Sequence, residues 1–373
     1  MVKKVSLITI ILLSCLAAIS VKAYVENPFI VVYTESDKNL SSATKNNFYK
    51  VLKAEKQVSN MPEINSQDAL GACRAFSLRT LLQKNLCDSL KVVNCKNVAG
   101  ENKISAFGMM GLTFGNADLP YSLNLDPNST NASLYANIQI LRNVKEANLA
   151  LFTEKECANF NQLVNSFTDN DNVTEFSMKR KEEFFKYLEN LYKQTKGKTE
   201  ADIADCPECV NKINLTLGSL NDVSTLKKAL AKPTYENFLF SVFYRKCSKR
   251  SFSFNYDITA FPKFDTAMSN EVAVNKVIEG LEKDKPVMLT NICMEYVNNT
   301  CKASHSTVIS GYRIVCKTGS NDCKKLFKVH NSWGEGWQKE NNDGWVDADT
   351  LMLSIKQNNE KNPVLAESFI WLN

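Results

Sequence analysis

Three residue types that together support nucleophilic catalysis occur in the order Cys73, His305 and Asn331. Cys73 lies where an apolar helix begins, and a helix N-terminus stabilises a thiolate. The chain has only two histidines. One of them, His305, opens a β-like run that we expect to end in a turn at Gly311. The pattern therefore predicts a thiol nucleophile, an imidazole base and a carboxamide that orients the base.

The chemistry of these groups assigns a role to each. Cys73 would attack a carbonyl carbon as thiolate, and His305 would hold the proton and deliver it to the departing amine. Asn331 would orient the imidazole ring. The Gln67 side chain and the Cys73 backbone N–H would stabilise the oxyanion, and Trp333 would shield the bond between His305 and Asn331 from water.

A second histidine stands beside Asn331. His330 could serve as the base instead, but neighbouring residues of a strand point to opposite faces. We therefore expect His330 to be structural and to face away from the site.

The residues around these positions resemble the papain-like cysteine peptidases, whose nucleophile lies in Cys-Gly-[Ser/Ala]-Cys-[Trp/Tyr]. Here that block reads Leu70-Gly71-Ala72-Cys73-Arg74. His305 with Gly311-Tyr312, and Asn331-Ser332-Trp333-Gly334 with Trp337, complete the resemblance. Leu70 replaces a cysteine and Arg74 replaces the aromatic residue. Arg74 would stabilise the thiolate if its guanidinium lies near the sulfur, and would otherwise serve a surface or a partner.

The resemblance implies an α+β fold with two lobes. A helical lobe would be led by the Cys73 helix, and a β-barrel-like lobe would carry His305 and Asn331. The strand predicted over 285–289, after a helix at 277–281, would lie beside the His305 strand.

The spacing of the site residues predicts an insertion. The family places its His and Asn roughly 130 to 150 residues after the cysteine, whereas about 230 and about 260 residues separate them here. We expect a mainly helical insertion at about 139–247. Within it, Phe184, Phe185, Leu188 and Leu191 have helical spacing and are expected to be core residues.

Residues 1–23 have the basic start, apolar run and small-residue cleavage site of a secretory signal peptide. We expect residues 24–60 to form an N-terminal extension, with a strand over 27–33, and residues 61–373 to form the peptidase domain. The apolar run is short for a bilayer span, so the mature protein should be exported to an extracellular, periplasmic or lysosome-like compartment without a membrane anchor.

The cysteine count agrees with an oxidising compartment. Of twelve cysteines, ten remain after Cys15 of the signal peptide and Cys73 are set aside, enough for five disulfides. Short loops suggest the pairs Cys87 with Cys95, Cys293 with Cys301, and Cys316 with Cys323. Cys206-Pro207-Glu208-Cys209 could be a redox motif or part of a metal site. We favour a local structural disulfide, because the βαβ setting of the redox motif and further metal ligands are missing.

These observations favour a secreted thiol peptidase that acts on protein or peptide substrates as a monomer, without metal or cofactor. Two alternatives stay open: a papain-like scaffold that binds a partner through Arg74 and the insertion, and a thiol acyltransferase that resolves the thioester with an amine. The charge is nearly balanced after signal cleavage, and phosphate-cradling glycine loops are not found in the sequence. We therefore expect no nucleic-acid partner.

Overall fold

A computed structural model describes the following residues: 27–32, 34, 49, 51–67, 72–113, 134–155, 175–220, 222–245, 247, 249–262, 269–297, 300–317, 321–358 and 368–373. The predicted signal peptide lies outside them. So do most of the expected N-terminal extension and part of the expected insertion.

Ten α-helices are described, with these bounds: α1 Cys73–Ser89, α2 Ala106–Thr113, α3 Leu134–Glu146, α4 Glu175–Thr195, α5 Pro207–Leu217, α6 Val223–Leu230, α7 Tyr235–Phe243, α8 Asn270–Glu282, α9 Gly334–Glu340 and α10 Ala348–Asn358. The described part of 139–247 is mainly helical, as expected. Phe184 and Leu188 are buried in α4, and Phe185 and Leu191 pack against the same core.

The strands are β1 Val51–Gln57, β2 Leu151–Phe152, β3 Lys249–Arg250, β4 Ile258–Phe261, β5 Val287–Val297, β6 Thr300–Cys316, β7 Cys323–His330, β8 Trp345–Asp347 and β9 Phe369–Leu372. The main sheet has the order β4-β9-β5-β6-β7-β8, with β1 also paired to β6. All its strand pairs are antiparallel. The α+β class is thus confirmed.

The main sheet is open among the described strands, since its edge strands β4 and β8 pair only inward. The expectation of a β-barrel-like lobe is wrong in this respect. The long strand β6 explains the shape, because its first half pairs with β5 and its second half with β1 along the same edge. The predicted neighbour of the His305 strand is confirmed: β5 follows α8 and places Ile292 opposite His305.

Alternate residues of the sheet enter two separate hydrophobic clusters, as the period of a strand dictates. Met288, Val308 and Ile370 join the cluster that contains α1 to α7. Leu289 and Ile309 join the cluster on the other face, together with α8 and α10. Because α1 also packs against β6, the helix of Cys73 meets the strand of His305 at the boundary between the two cores.

Two local expectations are wrong. Within 27–33 the described residues make only an isolated bridge, from Val31 to Val346, instead of a strand. Gly311 lies inside β6 rather than in a turn. A Cβ there would stand 2.8 Å from the carbonyl oxygen of Lys56. The glycine is needed for the close approach of β1, and it coincides with an irregularity in the β6–β7 register.

The three disulfides expected from short loops are present, and so is Cys206–Cys209. Cys316 and Cys323 are directly paired residues of β6 and β7, so their bond closes a hairpin. Cys247 is also disulfide-bonded, and Cys157 lies outside the described residues. This number of disulfides indicates an oxidising environment. Within the described ranges, every helix is too short or too polar to span a bilayer.

Candidate active site

Cys73 is the first residue of α1 and carries a free thiol. The preceding Ala72 offers no side-chain cap, and the first turn contains no acidic residue. The positive end of the helix dipole therefore acts on the sulfur without an opposing carboxylate in the same turn. The predicted helix start is confirmed, and the thiol is not consumed by a disulfide.

His305 lies on β6, is buried, and hydrogen-bonds the Cys73 sulfur. Burial raises the pKa of the Cys73 thiol. The charge and hydrogen bond of His305, the backbone N–H of Ser306 and the charge of Arg74 together outweigh burial, so the pKa is lowered. The surroundings of the sulfur thus favour a thiolate.

Asn331 follows β7, which pairs with β6 and so brings Asn331 close to His305. His305 Nε2 and Asn331 Oδ1 are 2.8 Å apart, and Asn331 is fully buried. With Nε2 donating to the amide oxygen, the other ring nitrogen, Nδ1, serves the sulfur. Asn331 therefore fixes both the ring orientation and the position of the ring protons.

Aromatic rings enclose this hydrogen bond. The rings of Trp333 and His305 lie 4.7 Å apart between centroids. Phe29 packs edge-on against both, at 6.0 Å from His305 and 5.4 Å from Trp333, and also contacts Trp337. Trp333 thus lies where a shield from water was expected. The part played by Phe29 was not anticipated, because its contact crosses almost the whole chain.

Gln67 is buried next to the segment that follows Asn331. Its backbone N–H donates to the carbonyl of Ser332 at 2.7 Å, and Ser66 forms a bridge with Trp333. The Ser332 hydroxyl donates to Gln67 Oε1. This bond occupies the acceptor end of the amide, and the Nε2 donor end is the group that the predicted oxyanion role requires.

Arg74 is half-buried, and its charge contributes to the lowered pKa of Cys73. Burial lowers the pKa of the guanidinium itself, while the thiolate raises it. Of the two roles left open for Arg74, the electrostatic one has this support.

The His330 side chain bonds to a backbone group rather than to the site residues, and its Nε2 donates to the Glu63 carbonyl at 3.3 Å. Burial lowers its pKa to about 4. The hydrogen bond to Glu63 opposes that shift, and the charges of Arg79, Lys328 and Lys96 reinforce it. His330 is therefore neutral near neutral pH and cannot act as an imidazolium.

An ionic cluster of Glu63, Arg79, Lys103 and Glu154 lies beside His330. The buried Arg79 on α1 contacts Glu63 at 3.0 Å and Glu154 at 3.8 Å, and Lys103 bridges the same two carboxylates at 2.5 and 2.6 Å. Burial raises the pKa of Glu63, but the hydrogen bond of Lys103 and the charges of Arg79 and Lys103 outweigh burial, so the pKa is lowered. Since Glu63 shortly precedes Gln67, the cluster ties the Gln67 segment to the Cys73 helix.

One group of potential metal ligands is found among the described residues: Cys206, Glu208 and Cys209. Its sulfurs are joined to each other, so they are not available as thiolate ligands.

No protein-family model matches the chain, and comparison with curated proteins gives no significant relative.

Proposed function

We propose that the protein is a secreted, papain-like cysteine peptidase that hydrolyses peptide bonds through a thioester on Cys73. The observation that carries the proposal is the continuous chain of hydrogen bonds from a free thiol at a helix N-terminus through His305 to the buried Asn331. Two hydrophobic cores that meet at this chain support a two-lobed arrangement of the papain type.

In the acylation step, the Cys73 thiolate attacks the carbonyl carbon of the scissile bond. The oxygen becomes an oxyanion that accepts hydrogen bonds from the Gln67 side chain and the Cys73 N–H. His305 then protonates the departing amine from Nδ1, the C–N bond breaks, and a thioester remains.

In the deacylation step, His305 removes a proton from a water molecule as that water attacks the thioester. The tetrahedral intermediate expels the Cys73 thiolate and releases the carboxylic acid. The proton stays on His305, so the starting ion pair is restored. Trp333 and Phe29 keep bulk water away from the bond between His305 and Asn331 throughout.

The test is to incubate the purified, signal-free protein with an unfolded polypeptide in ¹⁸O-labelled water. We expect cleaved peptides that carry ¹⁸O at their new carboxyl ends, and an epoxide-type thiol inhibitor that labels Cys73. Transfer of the acyl group to added amines without ¹⁸O incorporation would instead identify an acyltransferase. Labelling of another residue, with no cleavage, would refute the proposal.

Variants sharpen this test. Cys73→Ala should abolish cleavage. Asn331→Ala should reduce kcat/KM by up to about 10²-fold, because a misoriented base loses much of its effect. Asn275→Ala is a matched control, since Asn275 is an exposed asparagine bonded only to Lys325 among the described hydrogen bonds.

A further inference from the structure

A second sulfur site lies in the helical region, at the start of α5. Cys206 is the N-cap residue of this helix, Pro207 is its first residue, and the disulfide joins Cys206 to Cys209 with a Cα–Cα distance of 5.2 Å. Cys206 is half-buried, whereas Cys209 is buried with 8% of its surface exposed. An incoming nucleophile therefore reaches the Cys206 sulfur more easily.

The N-terminus of α5 favours the reduced form of this cysteine pair. When the disulfide opens, a thiolate on Cys206 lies at the positive end of the 11-residue helix α5, which stabilises it. The sequence lacks the βαβ setting of common redox motifs, but the electrostatic element that such a setting supplies is a helix N-terminus. That element is present here.

A cavity of about 460 Å³ adjoins the disulfide and is lined by both cysteines. Part of its lining is apolar, including Leu191 on α4 and Leu226 and Leu230 on α6. Polar groups, including Lys198 and Glu208, stand among them. The volume is enough for several side chains of an extended peptide.

This disulfide differs from the others in what it constrains. Cys87–Cys95, Cys293–Cys301 and Cys316–Cys323 close loops with separations of 8, 8 and 7 residues. Cys206–Cys209 spans only 3 residues, so it removes the least chain entropy from the unfolded state. Stabilisation explains its presence less well than it explains the other three.

We propose that Cys206–Cys209 is a second active site, which exchanges its disulfide with a dithiol of an unfolded polypeptide bound in the adjoining cavity. The proposal is independent of the peptidase activity. The two sites share no residue.

The exchange proceeds through two successive thiolate attacks. A client thiolate attacks Cys206 Sγ, the bond to Cys209 breaks, and Cys209 leaves as a thiolate that takes up a proton. A second client thiolate then attacks the client sulfur of the mixed disulfide and releases the Cys206 thiolate. The client dithiol is oxidised by two electrons and the Cys206–Cys209 pair is reduced. A low-molecular-weight disulfide, such as oxidised glutathione, reoxidises the pair by the same two steps.

Glu208 tunes this site. One of its carboxylate oxygens lies 2.9 Å from Cys206 Sγ, so its charge opposes a thiolate on Cys206. A disulfide is a stronger oxidant when a thiolate of its reduced form is stabilised. Replacing the carboxylate with a neutral amide should therefore make the pair more oxidising.

The experiment is a redox titration of the full signal-free chain carrying Cys73→Ser. This substitution removes the free thiol of the candidate peptidase site. The result therefore does not depend on whether the protein is a peptidase. The protein is equilibrated with reduced and oxidised glutathione, alkylated, and analysed by peptide mass spectrometry. We expect Cys206 and Cys209 to be reduced in the folded protein at ratios that leave Cys87–Cys95 oxidised, with Cys206 alkylated first. Reduction of all disulfides together, or of this one last, would overturn the proposal.

Trapping provides a second readout. Cys209→Ser should displace thionitrobenzoate from a one-cysteine peptide activated as its mixed disulfide with 5-thio-2-nitrobenzoate, leaving a stable disulfide between Cys206 and the peptide, and Cys206→Ser should form none. Glu208→Gln should shift the titration so that the pair is reduced at least about threefold more readily, whereas Glu182→Gln, a control at an exposed position outside the cavity lining, should not. A Cys209→Ser protein that stays folded by circular dichroism but traps no peptide would contradict the assignment.

Discussion

The cleft around Cys73 and the ionic cluster around Arg79 each contain a histidine in the same part of the molecule, but their surroundings differ. His305 faces a thiol on one side and the carbonyl oxygen of Asn331 on the other. His330 lies near three cations and has a pKa of about 4. The two side chains are chemically identical. Their neighbouring acceptors and charges make His305 a candidate proton carrier and His330 a structural hydrogen-bond donor.

The contrast also concerns what each region contributes. The cleft favours ionisation of Cys73, since the neighbours of the thiol lower its pKa. The ionic cluster holds charges that are already paired and joins α1 to the segment that carries Gln67. Substitutions in the first region should therefore alter chemistry, and those in the second should alter stability.

Of the substitutions that test this comparison, His305→Ala should have the largest effect. Loss of the base and acid should reduce kcat/KM by about 10²- to 10⁴-fold. The pKa of Cys73 should rise, because His305 is the strongest of the influences that lower it. The pH dependence of alkylation of Cys73 by iodoacetamide measures this shift. An unchanged profile would mean that the imidazole does not act on the sulfur.

Arg79→Met should produce the next largest effect, on the free energy of unfolding. Removing a buried cation leaves Glu63 and Glu154 paired with Lys103 alone, at a cost of about 3 kcal/mol or more. Urea unfolding measures the change. Lys193→Met removes an exposed pair with Glu189 and should cost less than about 0.5 kcal/mol; equal losses in the two variants would show that the cluster does not stabilise the fold.

Acid should destabilise the protein through His330. The folded pKa of about 4 lies below the ordinary value of 6.5, so below pH 6.5 the unfolded chain binds a proton that the folded chain resists. The stability that His330 contributes is complete above pH 6.5 and falls as the pH approaches 4, by up to about 3 kcal/mol. His330→Gln keeps a donor but does not titrate, so urea midpoints of the two proteins should diverge between pH 7 and 4.5. Parallel midpoints would argue against a buried neutral His330.

Arg74→Met should have the smallest effect. It removes the weakest of the influences that lower the pKa of Cys73, so alkylation of Cys73 at pH 6 should slow by less than about tenfold. Arg142→Met, on the exposed face of α3, is the control. An alkylation rate that Arg74→Met leaves unchanged would assign Arg74 to a surface or a partner rather than to the thiolate.

Local patterns in the sequence carried much of the fold. The start of α1 at Cys73, the buried face of α4 and the succession of α8 and β5 follow from spacings within a few residues. The short-loop disulfides follow in the same way. Gly311 was misread because a glycine in a strand pattern signals either a turn or a close backbone approach, and only the partner strand β1 distinguishes them.

The sequence by itself determined which groups are present: a thiol at a helix start, few histidines, and an asparagine followed by an aromatic residue. Tertiary structure alone decided which groups meet. The contacts of Phe29 with His305, of Ser332 with Gln67, and of His330 with Glu63 join positions far apart in the chain. The pKa of each titratable group depends on such neighbours and on burial, because electrostatic interactions act through space and are strengthened where water is excluded.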